Sequence, residues 1–288
     1  MSGFSAEWLR LREPADAAAR NPELTARLIV WRRRYDALSV LDLGSGAGAN
    51  VRILAPALGG KQHWRLVDHD PALLARADEA LRRWAVVRGM KVTDESGTLL
   101  LEDETRQCRL EWSCLDLNAD WERLAVANAQ LVTASALIDL VSADWLERLA
   151  RRCRQWRAAV LIVLSYDGSI VWEPAAEGDE WMREWINRHQ GTDKGFGPAL
   201  GPDAAPTLAT LLERLDYRVE LRPSPWRLAA QDAALQTALL DGWTEAVRRI
   251  APETTSWLDA WSRHRCSLIE RGHSRLSVGH WDLFASLE

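Results

Sequence analysis

The sequence predicts an α/β fold: a doubly wound, mostly parallel sheet covered by helices on both faces. Three observations carry this. Short apolar runs alternate with segments of helical period along the chain, the pattern of repeated β-α units. The first run, SVLDLG, breaks into glycines at every second position, Gly44, Gly46 and Gly48, which suits a tight strand-to-helix turn touching a ligand. Acids stand at the ends of the early runs, at Asp42, Asp68 and Asp116.

In chain order, residues 5–35 read as helical, with breaks near Pro14 and Pro22. Strand one ends at Gly44, and a helix follows from about Asn50 to Leu58. Strand two, HWRLVD, ends at Asp68. Asp70 and Pro71 open the next helix as N-cap and first-turn proline, and Gly89 ends it. Residues 91–112 change to a period of two, with turn residues at 95–97 and 103–104; this predicts an inserted hairpin leading into the third parallel strand. Strand four is AQLVTAS, a helix covers Ala143 to Trp156, and strand five is AAVLIVLSY. Residues 167–202 are rich in Gly and Pro, with a short helix around Glu180 to Arg188. A helix from Asp203 to Leu215 precedes strand six, YRVELRP. Two helical stretches, about 228–250 and 254–270, are split at Pro252. The alternating SRLSVGHWDLFAS closes the chain as a seventh strand.

Composition narrows the function. A formal net charge of −5 over 288 residues provides no field for nucleic acid or an anionic membrane. The arginine clusters at 32–34 and 151–152 lie on helical patterns and read as solvated faces. The four cysteines lack metal-ligand spacing and fit reduced thiols of a cytoplasmic protein. The N-terminus lacks an apolar signal core, and the longest apolar run, residues 158–164, is too short for a bilayer. Sixteen Trp against three Phe and three Tyr make tryptophan the packing aromatic of this chain.

The order of five β-α units, a sixth strand and a terminal strand resembles the class I S-adenosylmethionine (SAM)-dependent methyltransferases, of the small-molecule type. The resemblance covers residues 36–288 in element order, with its sharper motifs within 40–140. It implies a Rossmann-like, seven-stranded sheet whose last strand is antiparallel. Residues 1–35 would form an N-terminal helical cap. The hairpin 91–112, a loop lid at 167–202 and a helical insertion at 224–272 would decorate the methyltransferase domain.

The resemblance also implies site roles. Asp42, Gly44, Ser45, Gly46 and Gly48 would surround the methionine part of SAM. Asp68, with His69 beside it, would hold the ribose. Asp116 and Leu117 would meet the adenine, and Ala134 and Ser135 would border the transferred methyl. The loop taken alone also satisfies a relaxed dinucleotide fingerprint through Gly44, Gly46 and Ala49. An NAD(P)-dependent oxidoreductase therefore stays open, as does a non-catalytic SAM-fold binding or regulatory protein. A P-loop is excluded, because no Lys-Ser/Thr follows the glycines.

Residues 133–136 read TASA, where relatives acting on nucleobases or protein amides often carry an Asn/Asp-Pro-Pro-aromatic tetrapeptide. This favours a small metabolite as acceptor, methylated on oxygen or nitrogen with S-adenosylhomocysteine (SAH) as product; the sequence does not separate these from carbon methylation or another SAM chemistry. The sequence sets no oligomeric state. Methyl transfer needs alignment more than acid-base chemistry, and a hydroxyl acceptor adds the need for a base. Candidates on the ligand side are Asp139, Tyr166 and His189, with Asp193 and Lys194 behind them. Trp8, Arg12 and Asp16 share one helical face, which suits either the pocket or amphipathic packing, while His280 reads as structural. No His/Asp/Glu cluster has metal spacing.

Overall fold

The computed structural model describes residues 5–124 and 129–288; the first four residues of the predicted cap lie outside the described residues. Helix α1 (Ala6–Ala19) and α2 (Pro22–Arg32) precede β1 (Ala37–Leu43). Then come α3 (Ala49–Leu58), β2 (Gly60–Asp68), α4 (Pro71–Val87), β3 (Lys91–Glu95), β4 (Thr98–Glu102) and β5 (Arg106–Cys114). After α5 (Trp121–Leu124) the chain forms β6 (Leu131–Ser135), α6 (Ala143–Trp156), β7 (Ala159–Glu173) and α7 (Asp179–Gln190). It closes with α8 (Ala204–Glu213), β8 (Arg218–Pro223), β9 (Trp226–Leu228), α9 (Ala233–Ile250), α10 (Thr255–Glu270) and β10 (Arg275–Ser286).

The sheet has the order β3-β4-β5-β2-β1-β6-β7-β10-β8, with β9 paired to β10. β5, β2, β1, β6 and β7 are mutually parallel, and β10 runs antiparallel between β7 and β8. This is the expected Rossmann-like arrangement with an antiparallel last strand. It has ten strands and not seven. The predicted hairpin is not set apart from the sheet: β4 pairs antiparallel with β5 and carries β3 outward as the new edge.

Three segments differ from their sequence reading. Residues 167–173 continue β7 because the long β10 offers them partners as far as Glu173. Trp226–Leu228 pairs with the same strand and is not helical. Helix α1 runs through Pro14; the proline is exposed, so water can serve the carbonyl its ring leaves unbonded.

Alternate residues of the strands feed two apolar layers. Leu38 and Val40 pack under α2 and α3, while Leu41 and Leu43 pack under α5 and α6. The tryptophans fall mostly in these layers, as their bulk requires. Trp172, Trp243, Trp257 and Trp261 knit α9 and α10 onto β7 by edge-on and stacked contacts. The Arg265 guanidinium, bonded to the Asp179 carboxylate and to Pro174 O, is sealed among them.

One latch positions the cap. Asp282 of β10 is 1% exposed. Its Oδ1 accepts from Leu164 N (2.8 Å) and Ser224 Oγ (2.6 Å), and its Oδ2 accepts from Asn21 N (2.8 Å). Leu164 sits at φ +58°, an unfavourable conformation for a branched side chain, held where β7 and β10 shift register. Asn21 is the elbow between α1 and α2, so the same carboxylate sets where α1 lies over the sheet. Three residues before Asp282, a β-carbon on Gly279 would overlap Ser169 Oγ and the Asp167 carboxylate.

Candidate functional site

A cleft of about 1220 Å³, including its open mouth, lies at the carboxyl ends of β1, β2, β5 and β6. This is where a doubly wound sheet places ligands. Its floor is the turn after β1. Gly44, Gly46 and Gly48 have φ of +61°, +51° and +73°, a left-handed conformation at alternate positions that other residues adopt only with strain. The loop's N–H groups are largely committed inside the protein. Ser45 N donates to Val67 O (2.9 Å), Gly46 N to Asp68 Oδ2 (2.9 Å) and Gly48 N to Ser45 O (2.9 Å). A diphosphate would need those donors free.

Asp42 lies beneath this loop, 1% exposed. Asn50, at the start of α3, donates to its Oδ1 (2.8 Å) and to Thr133 Oγ1 (3.1 Å). Asp42 Oδ2, Ser45 Oγ and Asn50 Oδ1 are buried without a hydrogen-bond partner among the described residues. Burial pushes the Asp42 carboxyl up to about 7, against the Asn50 hydrogen bond and the Arg20 charge. Three orphaned oxygens at one spot are costly. They suit a ligand that brings donors, and a cationic one best.

Asp68 closes β2. Its Oδ2 holds Gly46 N and its Oδ1 accepts from Asp70 N (3.0 Å), while His69 Nδ1 lies 3.4 Å from Oδ1. It therefore shapes the glycine turn as well as facing the cleft. Asp116 follows β5. Its Oδ1 accepts from Asn118 N (2.8 Å) and Ala119 N (2.9 Å), and these backbone bonds, that of Ala119 first, hold its carboxyl below the usual range. Leu117 is buried in the cleft wall, with its carbonyl accepting from Trp145 Nε1 (3.0 Å).

Of the cofactor candidates, Asp42, Gly44, Ser45, Gly46, Asp68, His69, Asp116, Leu117 and Ser135 share the wall of this one cleft. Two stand behind it. Ala134 is fully buried in β6. A β-carbon on Gly48 would meet Leu81 of α4, so this glycine serves the packing of α3 against α4.

The catalytic candidates are not gathered in the same way. Asp139 lies in the turn after β6, between Leu137 and Leu140 of the cleft wall. It is 7% exposed with Oδ1 unpartnered among the described residues, and burial pushes its carboxyl up to about 6. Tyr166 donates its hydroxyl to Asn187 Oδ1 (2.7 Å), outside the cleft wall, and burial raises the phenol. His189 ends α7, also outside the wall. Partial burial lowers it, with Lys194 and Arg249 adding to the effect. Asp193 Oδ1 accepts from Gly195 N and Gly197 N, a turn role, and Lys194 Nζ donates to His189 O.

Sequence reasoning undervalued helix α1. Leu9, Arg12, Glu13 and Asp16 form the roof of the cleft. Leu9 rests on Gly46, where a β-carbon would come within 3.1 Å of it. Glu13 pairs with Arg52 of α3 at 2.8 Å. Arg12 binds Asp16 through two bonds (2.9 and 3.1 Å), and Asp16 Oδ1 also accepts from Trp226 Nε1 (3.1 Å). The helical spacing of Trp8, Arg12 and Asp16 was the available signal, but it reads equally as packing. Asn50 and Phe196, which also face the cleft, carried no signal beyond their place near the loop and in the lid segment. No residue of 224–272 enters the wall. No group of three His, Cys, Asp or Glu among the described residues is placed to hold a metal, and none of the described helices is long and apolar enough to cross a membrane.

No protein-family model matches the chain, and no curated protein does. Solved structures resemble it in fold. A SAM-dependent methyltransferase from Geobacter sulfurreducens in complex with SAH is 17% identical, covering 99% of this chain and 98% of that one, with a TM-score of 0.46. A second, from Thiobacillus denitrificans and also in complex with SAH, is 14% identical with 98% of each chain covered and a TM-score of 0.45. A cyclopropane synthase from Mycobacterium tuberculosis is 12% identical over 98% and 95% of the two chains, with a TM-score of 0.47. Likeness at this level leaves the function to the geometry of the site.

Proposed function

We propose that the cleft binds S-adenosyl-L-methionine and that the protein transfers the methyl group to oxygen or nitrogen of a small molecule, leaving SAH. The observation that supports this reading most is the buried floor: an unpartnered Asp42 oxygen beneath a loop in which Ser45 N, Gly46 N and Gly48 N are already bonded. That floor suits an ammonium and disfavours a diphosphate, which separates SAM from NAD(P) better than the glycine spacing does.

The remaining walls fit the same molecule. Asp42, with Ser45 and Asn50, would take the amino group of the methionine part. Asp68 and His69 would face the ribose. Leu117 and Leu73 offer apolar surface for the adenine, with Asp116 at its edge. When bound, SAM supplies an electrophilic methyl on a sulfonium sulfur. The protein's share is to bind, align and exclude water. Helix α1 roofs the site, and Phe196 brings the 191–200 segment to its rim; we assign both to the cover that closes over the ligands.

Calorimetry with SAH and with NADH tests the reading. SAH binding in the micromolar range with no NADH binding is the expected result. NADH binding without SAH would overturn it.

A further inference from the structure

Away from the cleft, the sheet leaves part of one face open. β1, β2 and β5 are parallel neighbours, and parallel strands are normally covered on both sides. On one side they are. Leu38, Val40, Trp64, Leu66 and Leu110 share an apolar layer with residues of α2, α3 and α4. On the other side, α5 is the only element between β5 and β6 among the described residues. It is a single turn, resting at Leu41 and Leu43. Beside it lies a groove of about 520 Å³, open mouth included, whose wall holds Ser39, His63, Arg65, Arg109 and Glu111.

Strand register sets these side chains in two rows. Ser39, His63 and Arg109 stand across β1, β2 and β5 in one row, and Leu41, Arg65 and Glu111 in the next. Pairing within the chain leaves the second row incomplete. Glu111 comes within 3.9 Å of Arg109 Nε, and Arg109 Nη1 lies 3.4 Å from Glu95. Arg65 has no acid partner among the described residues. Charge narrows what can cover such a face. A polyanion would meet Glu95 and Glu111, and a peptide of one sign would leave the other sign unmatched. The face does match itself. In the second row a base on β2 and an acid on β5 are neighbours, about 4.8 Å apart in the backbone. Half a turn about an axis along the strands, midway between β2 and β5, exchanges their places. Arg65 then meets the partner subunit's Glu111, and Glu111 meets the partner subunit's Arg65. In the first row Arg109 meets His63 of the partner subunit, whose neutral ring accepts from it. Two-fold contacts of this reciprocal kind are the commonest closed assembly.

We infer that the open face of β1, β2 and β5 is where two copies of this chain associate, through reciprocal Arg65–Glu111 pairs. The inference is independent of what the cleft binds. With the axis between β2 and β5, strands β4, β5, β2 and β1 overlie their counterparts in the second copy. That patch is about 19 Å wide at about 4.8 Å per strand. It stands at the small end for a specific interface, so the association is weak, with a Kd in the micromolar range.

The test is sedimentation equilibrium of the full chain at protein concentrations up to about 200 µM. The wild type should show a monomer–dimer equilibrium that weakens at least about fivefold between roughly 0.05 and 0.5 M salt. Arg65→Glu and Glu111→Arg should each be monomeric, because like charges then face each other across the axis. Mixed in equal amounts, the two variants should pair again, since one chain carries both acids and the other both bases. Thermal melting checks that each variant folds, and the salt dependence of the wild type carries the test if one does not. A wild type that stays monomeric, an association unmoved by salt, a dimer that survives either substitution, or folded variants that remain monomeric when mixed would overturn the interface.

Discussion

Asp42 and Asp282 are each 1% exposed, and burial pushes both carboxyls upward. They differ in what holds them. Asp282 accepts three hydrogen bonds spread over both oxygens, from three separate segments. Asp42 accepts one, and its second oxygen has no partner among the described residues. The saturated acid is part of the architecture. The unsaturated one is the acid we assign to the ligand. Burial alone does not distinguish structure from function; hydrogen-bond saturation does, because an unmet buried oxygen costs free energy that something else must recover.

Breaking the saturated acid should show most. Asp282→Ala removes the partners of Leu164 N, Asn21 N and Ser224 Oγ. It should cost about 3–5 kcal/mol, the range for disrupting a buried network, read as a lowered urea midpoint. A loss under 1 kcal/mol would mean the latch is idle. Gly46→Val strikes the other region. It places a branched side chain at positive φ against Leu9, and SAH affinity should fall at least a hundredfold, about 3 kcal/mol, in a chain that still melts cooperatively. Asp68→Ala should weaken SAH by about 1–3 kcal/mol in the same titration.

The pH behaviour of Asp42 sharpens the contrast. Its carboxyl titrates near 7 in the folded chain and near 3.9 when unfolded. The folded state therefore holds the extra proton between these values, and stability from this group falls as pH rises from about 4 to 7. Asp42→Asn should flatten that slope in denaturation curves at pH 5 and 7. SAH, which brings an ammonium, should bind more tightly at pH 8 than at pH 6 in the wild type, by up to about tenfold, and equally at both in Asp42→Asn. Equal wild-type affinities would remove Asp42 from the ammonium site. The smallest effect belongs to His189→Ala, outside the cleft wall, where SAH affinity should change by less than about 0.5 kcal/mol.

The early strand ends were legible because their signals are local. A glycine at every second position after an apolar run dictates a left-handed turn wherever the chain folds, and acids at 42, 68 and 116 stand at strand ends set by period alone. The class of the sheet, its parallel strands and the late antiparallel one followed from order along the chain. Helix α1 was legible as part of a cap, but which of its residues face the cleft was not. Its amphipathic face fits core or cleft equally, and the choice depends on Asp282, more than two hundred residues away, pinning Asn21. The strand pairing of 167–173 and of Trp226–Leu228 likewise needed the length of β10.

What the sequence determined by itself, then, is the scaffold and the floor of the cleft, since backbone conformation and hydrophobic period are properties of neighbours in the chain. The tertiary structure alone decided which polar atoms are left without partners. Asp139 Oδ1, His280 Nδ1 and the Trp8 indole N–H are left alone only once the turn after β6, β10 and α1 are packed, because desolvation and hydrogen-bond satisfaction are properties of neighbours in space.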